Sequence, residues 1–192
     1  YQVGNITWPG APFNVFNAVL INDTLVEDLS LDHPVEMYEQ GTWTFNTFKN
    51  YIQSATNADP TNYVYGLDAT WFGHAILPQS ALYANGCPPV IEDAQGKYTF
   101  GYASTAAAHA LEWAREIYAM TENVANNADN HSSSSYFASN NATLFLGHSY
   151  FLTTEGSDIQ QNIEKVSFVT FPYGEDVEYG SISTSFYDTP NA

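Results

Sequence analysis

The sequence predicts an α/β fold, a mainly parallel sheet with helices on both faces. Two observations carry this. Strand-like apolar runs alternate along the chain with segments whose apolar residues recur at helical spacing, the pattern of βα units. Hydrophobic residues make up 44% of the 192 residues and aromatics 16%, enough for a packed core between layers. The length fits one domain.

The elements follow in chain order. "FNAVLIN", from Phe16 to Asn22, is β-branched and apolar and closes on Asn-Asp, which marks a strand. "LVEDLSLDHPVEMYEQG" reads as short helical or irregular structure, with His33 extended because a proline follows it. Thr44 is placed to cap a helix in which Phe48, Tyr51, Ile52 and Ala55 share one face. After the turn "NADPTN", "YVYGLDA" from Tyr63 reads as a buried strand weakened by Gly66. Ala75 to Asn85 forms a helix with Pro78 in its first turn and Gly86 at its end. "CPPVIEDAQGKYTF" is extended, with a turn at Gln95-Gly96. Ser104 caps the clearest helix, whose apolar stripe is Ala107, Ala110, Leu111, Ala114, Ile117 and Tyr118, with Glu112 and Arg115 on the polar face. Glu122 to Ser135 is polar and low in complexity, a mobile loop. "ATLFLG" and "KVSFVTFP" are strands, and "YGSISTSFYD" is a further one. No internal repeat is visible.

Charge excludes two classes of partner. Against 21 acidic residues stand Lys49, Lys97, Arg115 and Lys165, a formal charge of −17. Nucleic-acid phosphates and anionic membrane surfaces both need a basic face, which this chain lacks. The acidic balance reads as a solubilising shell. Apolar runs fall far short of the ~20 residues that span a bilayer. The chain shows no signal-peptide pattern and does not begin with Met, so it reads as a mature or excised piece. Cys87 is alone, which rules out a disulfide framework and reads as a small buried hydrophobe.

Motifs for catalysis and for metal are sparse. "GHSYF", Gly147 to Phe151, is half of a nucleophile elbow without its second glycine or an assignable base. "NNADN" around Asp129 has calcium-like oxygens without the glycine and closing glutamate of a calcium loop. His33, His74, His109, His131 and His148 lack metal-ligand spacing. The doublets Glu27-Asp28, Glu92-Asp93 and Glu175-Asp176 lie beside turns, where acids are commonplace. "NIT", "NDT" and "NAT" match the glycosylation sequon, a short pattern that recurs by chance. No phosphate-cradling glycine loop is present. No cofactor, metal or catalytic residue is assigned.

The order of segments resembles extracellular solute-binding proteins of ABC importers, the carbohydrate-binding group similar to maltose-binding protein. In "INDTLVEDLSLDHPVEMYEQGTWTFNTFKNYI", Asn22, Leu25, Leu31, Pro34, Gly41, Trp43, Thr44 and Phe48 stand where that family has a strand-end Asn, a proline turn and a "G-x-WTW-x-x-F" helix start. "YGLDATW…LYANG", "GKYTFGYASTAAAHALEWAREIY", "FASNNATLFLGHSYFL" and "VSFVTFPYGED" resemble its later segments, in the same order. Phe45 replaces the family's second Trp, Asn46-Thr47 its acidic pair, Tyr150 the Trp of "G-s-W", and Cys87 the second Gly of "NGG".

The resemblance implies a three-layer lobe of a periplasmic-binding-protein-like (type II) fold, spanning 1–192, and the second lobe only of a two-lobed protein. Residues 1–10 and 188–192 would then be hinge ends. It also implies an extracellular, cell-surface or periplasmic bacterial protein, lipid-anchored in its full-length form, that hands a small solute, a sugar or oligosaccharide, to ABC permease subunits. Ligands of open α/β lobes sit outside the carboxyl ends of the strands. "DATWFGH" and "GHSY" both follow strands there. Trp71, Phe72 and Tyr150 are therefore candidates to stack on sugar rings, and His74, His148 and Ser149 to hydrogen-bond hydroxyls. Trp8, near the expected hinge, is a further candidate. Trp71 or Phe72 as plain core is the competing reading, since aromatics dominate cores. A glycosidase-like secreted enzyme domain and a stand-alone carbohydrate-adhesion module are the rival functions.

Overall fold

The computed structural model describes residues 14–69, 73–125, 135–153, 157–184 and 186–188. Its centre is a five-stranded sheet made of β2 (Ala18–Asn22), β3 (Tyr65–Asp68), β6 (Val124–Ala125), β7 (Ala142–Gly147) and β8 (Val166–Val169), in the order β6-β3-β7-β2-β8. β3 runs parallel to β6 and β7, while β2 runs antiparallel to β7 and β8. Four strands thus share one direction and β2 alone opposes them, which is the mainly parallel sheet expected.

Alternation along the strands splits the core into two. Val19, Ile21, Leu67, Leu144 and Leu146 join one buried cluster, and Ala18, Leu20 and Phe145 join the other. The first is covered by α3 (Phe45–Ser54), α4 (Gly73–Ala84) and α5 (Thr105–Ala119) through Phe48, Leu77 and Ile117. The second is covered by α6 (Ser135–Ala138), α7 (Tyr150–Thr153) and α8 (Asp158–Asn162) through Phe137, Phe151 and Ile159. Helices on both faces of one sheet make three layers.

Local chemistry explains the helix starts. Asn22 accepts the Leu25 N–H at 3.2 Å and begins α1 (Asp23–Asp28). His33 is extended at φ −76°, ψ 128°, as the following proline requires. Its Nδ1 accepts the Val35 N–H of α2 (Pro34–Glu39), which leaves Nε2 to donate to Asp23 at 3.0 Å. The Thr44 N–H donates to Thr47 Oγ1 at 2.9 Å as α3 begins, and Ser104 Oγ accepts the Ala107 N–H at the start of α5.

Several expectations are corrected. The first strand starts earlier and breaks: Asn17, at φ 57°, separates β1 (Asn14–Phe16) from β2. Asparagine tolerates this left-handed turn, which sends β1 away from the sheet to pair with β9 (Phe186–Asp188). "YGSISTSFYD" contributes only β9 as strand, since residues 180–184 are turn and bends. α4 starts at Gly73, so Pro78 lies in its interior rather than its first turn. On α5, Leu111 is 43% exposed, and the side chain that packs inward is Trp113, 8% exposed. Trp113 stacks on Phe45 with centroids 4.0 Å apart and donates its Nε1–H to the Phe45 carbonyl. Gly66 does not weaken its strand, because the close passage of α3 demands it. The stretch read as a loop from Glu122 supplies β6 at Val124–Ala125, and 126–134 lie outside the described residues.

Between α4 and α5 a separate two-stranded ribbon, β4 (Val90–Glu92) and β5 (Tyr98–Phe100), turns at Gly96.

Candidate functional site

The strand directions set the site. β3 and β7 are parallel neighbours in register, with Asp68 opposite Phe145, so the chain leaves both strands at the same sheet edge. β8 ends there too, since Val169 pairs with Val19 and Ala18 with Gly147. The two loops singled out from the sequence therefore emerge side by side on the carboxyl edge. β1 and β9 pair with each other at this edge as well, because β2 begins there.

The structure places the candidate residues as follows. Trp8, Trp71 and Phe72 lie outside the described residues. The backbones of His74 and Tyr150 stand at the N-terminal turns of α4 and α7. His148 and Ser149 follow β7 and are buried. Ser149 is tied to the strand that enters the sheet: its Oγ accepts the Val15 N–H at 2.8 Å, and its own N–H donates to the Val15 carbonyl at 3.1 Å. This reciprocal pair gives the half-elbow serine a positioning role, locking the β7–α7 loop onto β1. Ser149→Ala is expected to cost about 1–3 kcal/mol, since the buried Val15 amide would lose its acceptor. Urea denaturation of the variant beside Ser149→Thr, which keeps the hydroxyl, checks it. Burial holds the His148 imidazole well below the ordinary histidine range, at about 4, so it is neutral at pH 7 and can offer both a donor and an acceptor.

Sequence reasoning missed two features of this edge. Asp68, the last residue of β3, is fully buried, and its Oδ2 accepts the N–H groups of Tyr136 and Phe137 at 3.1 and 3.0 Å. The carboxylate thus anchors α6 beside the edge. Its signal was an acid closing an otherwise apolar strand. The second feature is a cavity of about 470 Å³ at the end of β8, lined by Tyr38, Thr170, Tyr173 and residues 180–184. Tyr173 donates its hydroxyl to the Ile182 carbonyl at 3.0 Å and Tyr179 to the Tyr38 carbonyl at 2.8 Å. Burial, aided by the neighbouring phenols, pushes Tyr179 up to about 12. The cavity lining carries no acid or base. Its signal was the aromatic "FPY" directly after a strand. Among the described residues no group of three or more His, Cys, Asp or Glu side chains is placed to hold a metal ion.

No family model and no curated protein matches the chain. Solved structures do. A sugar transporter from Rhizobium etli in an open conformation superposes with TM-score 0.60 at 18% identity, covering 92% of this chain and 42% of its own. An ABC transporter solute-binding protein from Thermotoga lettingae, bound with α-D-tagatose, gives 0.61 at 20%, covering 84% and 40%. The maltose-bound MalE3 of T. maritima gives 0.63 at 15%, covering 91% and 42%. The fold is that of a periplasmic-binding-protein-like lobe. The lobe spans about two fifths of the length of the proteins it matches. Its carboxyl edge, where the two loops, the β8 cavity and the β1–β9 ribbon gather, is the place such an α/β sheet offers to a ligand.

Proposed function

We propose that the chain is the second lobe of an extracellular solute-binding protein that captures a sugar or oligosaccharide between two lobes and delivers it to an ABC permease. The observation that carries this is the convergence of both loop-bearing strands, β3 and β7, on the edge where β1 and β9 also pair. A cleft needs a ligand face and a hinge at the same side of the sheet, and the gathering of the two loops and the β1–β9 pair at one edge supports this reading. Three matching folds named as sugar, tagatose-bound and maltose-bound proteins support the choice of ligand. In this reading Trp71, Phe72 and Tyr150 stack on sugar rings, His74 and His148 bond hydroxyls, Ser149 holds the loop, and Trp8 lies by the hinge. The anchor at the membrane is part of the same proposal.

Closure of such a clamp is a population shift, driven by ligand contacts made to both lobes at once. One lobe makes only part of them. Calorimetry on the 192-residue chain with maltose and longer neutral oligosaccharides is expected to show no binding at micromolar concentrations. The lobe joined to its partner lobe is expected to gain melting temperature with the right saccharide, about 2.7 kcal/mol of stability at a hundredfold excess over Kd. Micromolar affinity in the lone chain would overturn the two-lobe reading. A joined protein that no saccharide stabilises would overturn the sugar assignment.

A further inference from the structure

We propose that the β4–β5 ribbon is a self-association edge, and that a second copy of this chain pairs with it through β5 to form a continuous four-stranded sheet. The ribbon is the most water-exposed apolar feature of the described residues. Of six large hydrophobic side chains exposed there, four belong to it, with Val90 54%, Ile91 43%, Tyr98 65% and Phe100 69% exposed. A two-stranded hairpin is marginal in water by itself, and one that leaves its aromatics uncovered gains little from burial.

The register decides how a copy would fit. Asp93 N–H donates to the Lys97 carbonyl and Gly101 N–H to the Pro89 carbonyl, both at 3.0 Å. Bonded pairs alternate in an antiparallel ladder, so Ile91 and Thr99 form the inner bonded pair. The N–H and C=O groups of Tyr98 and the N–H of Phe100 therefore point outward along the free edge of β5, while the Phe100 carbonyl begins the 3₁₀ turn Gly101–Ala103. If a copy is placed antiparallel about a two-fold axis at Thr99, Tyr98 meets Phe100 of the other copy and Phe100 meets Tyr98. In each such pair the Phe100 N–H donates to the Tyr98 carbonyl of the other copy, and the aromatic rings fall on one face as cross-strand neighbours. The strand is complementary to itself.

Charge selects this edge over the other. β5 carries no acid and is flanked by Lys97 in a chain of 21 acidic residues. Pairing through β4 would set Glu92 against Val90 and bring the acids of both copies together. The ribbon alone covers far less than the ~1,200 Å² of a stable interface, so association is expected only at about 0.1–1 mM chain. Two bodies of charge −17 repel each other, so added salt is expected to strengthen the pairing.

Sedimentation equilibrium on the 192-residue chain tests this. The expected result is a mass that rises toward twice the monomer with concentration, more steeply in about 0.5 M than in about 0.05 M salt. Phe100→Pro should stay monomeric: the backbone at Phe100, φ −74°, suits proline, and the lost N–H serves only the outer edge. Thr99→Cys supplies a readout that does not depend on that variant folding. Residues facing each other across a non-bonded site lie about 4.5 Å apart, within disulfide reach. Mild oxidation should link Thr99→Cys far faster than Ile91→Cys on the outer strand. A wild-type chain that stays monomeric to about 1 mM would refute the proposal. Cross-linking equally fast at the two positions would refute it too, as would a Phe100→Pro chain that dimerises like wild type.

Discussion

Gly66→Ala is expected to destabilise the chain by about 3 kcal/mol or more, and Gly66→Val to prevent stable folding. A Cβ at this position would lie 2.0 Å from the carbonyl oxygen of Ile52 and 2.7 Å from its carbon. Both belong to the last turns of α3, which pass directly over β3. The obstacle is backbone, so no rotamer change relieves it. Either α3 shifts as a unit or β3 moves out of register with β7. α3 cannot shift cheaply, because Phe48 and Ile52 are fully buried and Thr143 donates its hydroxyl to the Ala55 carbonyl at the helix end. Gly180 is the contrast. Its backbone is left-handed at φ +78°, but no atom lies within 4 Å of a Cβ built there. Gly180→Ala should therefore cost only the conformational penalty, about 1–2 kcal/mol. Urea denaturation of the two alanine variants beside wild type measures the difference. Equal losses would show that α3 yields.

The second large effect is expected from acid. Burial lowers the pKa of His148 in the folded chain to about 4, against an ordinary histidine value of 6.5. Proton uptake sets the sign. Above pH 6.5 neither the folded nor the unfolded chain protonates this ring, and its contribution is constant. As pH falls below 6.5 the unfolded chain takes up a proton that the folded chain refuses, so stability drops until the folded ring itself protonates near pH 4. The loss amounts to roughly 3 kcal/mol across that window, since a tenfold difference in proton affinity is worth about 1.36 kcal/mol. Carboxylates act elsewhere. Asp176 is held below the usual carboxylate range by hydrogen bonds from Asn85 and His109, so its stabilisation persists down to the ordinary carboxylate pKa and is lost only below it. As pH falls from 6.5 to about 4, wild type should lose roughly 3 kcal/mol relative to His148→Gln, whatever the gap between them at neutral pH. A wild-type slope that survives the substitution would place the sensitive group elsewhere. The consequence for function is that the β7–α7 loop, and with it the candidate ligand edge, should loosen in mild acid.

Much of this architecture is written in local chemistry. Thr44 and Ser104 mark their helix starts through side chain–backbone bonds within three residues, Thr47 Oγ1 accepting the Thr44 N–H and Ser104 Oγ the Ala107 N–H, a relation visible in any window of sequence. The strands "ATLFLG" and "KVSFVTFP" announce themselves because β-branched and aromatic runs have no other stable home. The alternation of such runs with helical periodicity is enough for the α/β class. Two loops ending on one edge could also be anticipated, since parallel strands deliver their carboxyl ends to the same side.

Residue identity at single positions was harder to read. Leu111 and Trp113 both suit a helix face, and only the stacking of Phe45 against Trp113 selects between them. Gly66 looks like a flaw in its strand until α3 is seen crossing it. Ser149 looks like a nucleophile or a ligand group until Val15, 134 residues away in sequence, claims its hydroxyl and amide. Asp68 and the cavity beside Tyr173 depend on α6 and on residues 180–184, neither adjacent in sequence to the strands they meet. By itself, then, the sequence determined the fold class, the helix caps and the sheet edge on which the two loops meet, because these follow from periodicity, strand direction and contacts within a few residues. Only the tertiary structure decided which side chains are spent on holding that edge together, because those bonds join segments whose separation along the chain carries no signal of their distance in space.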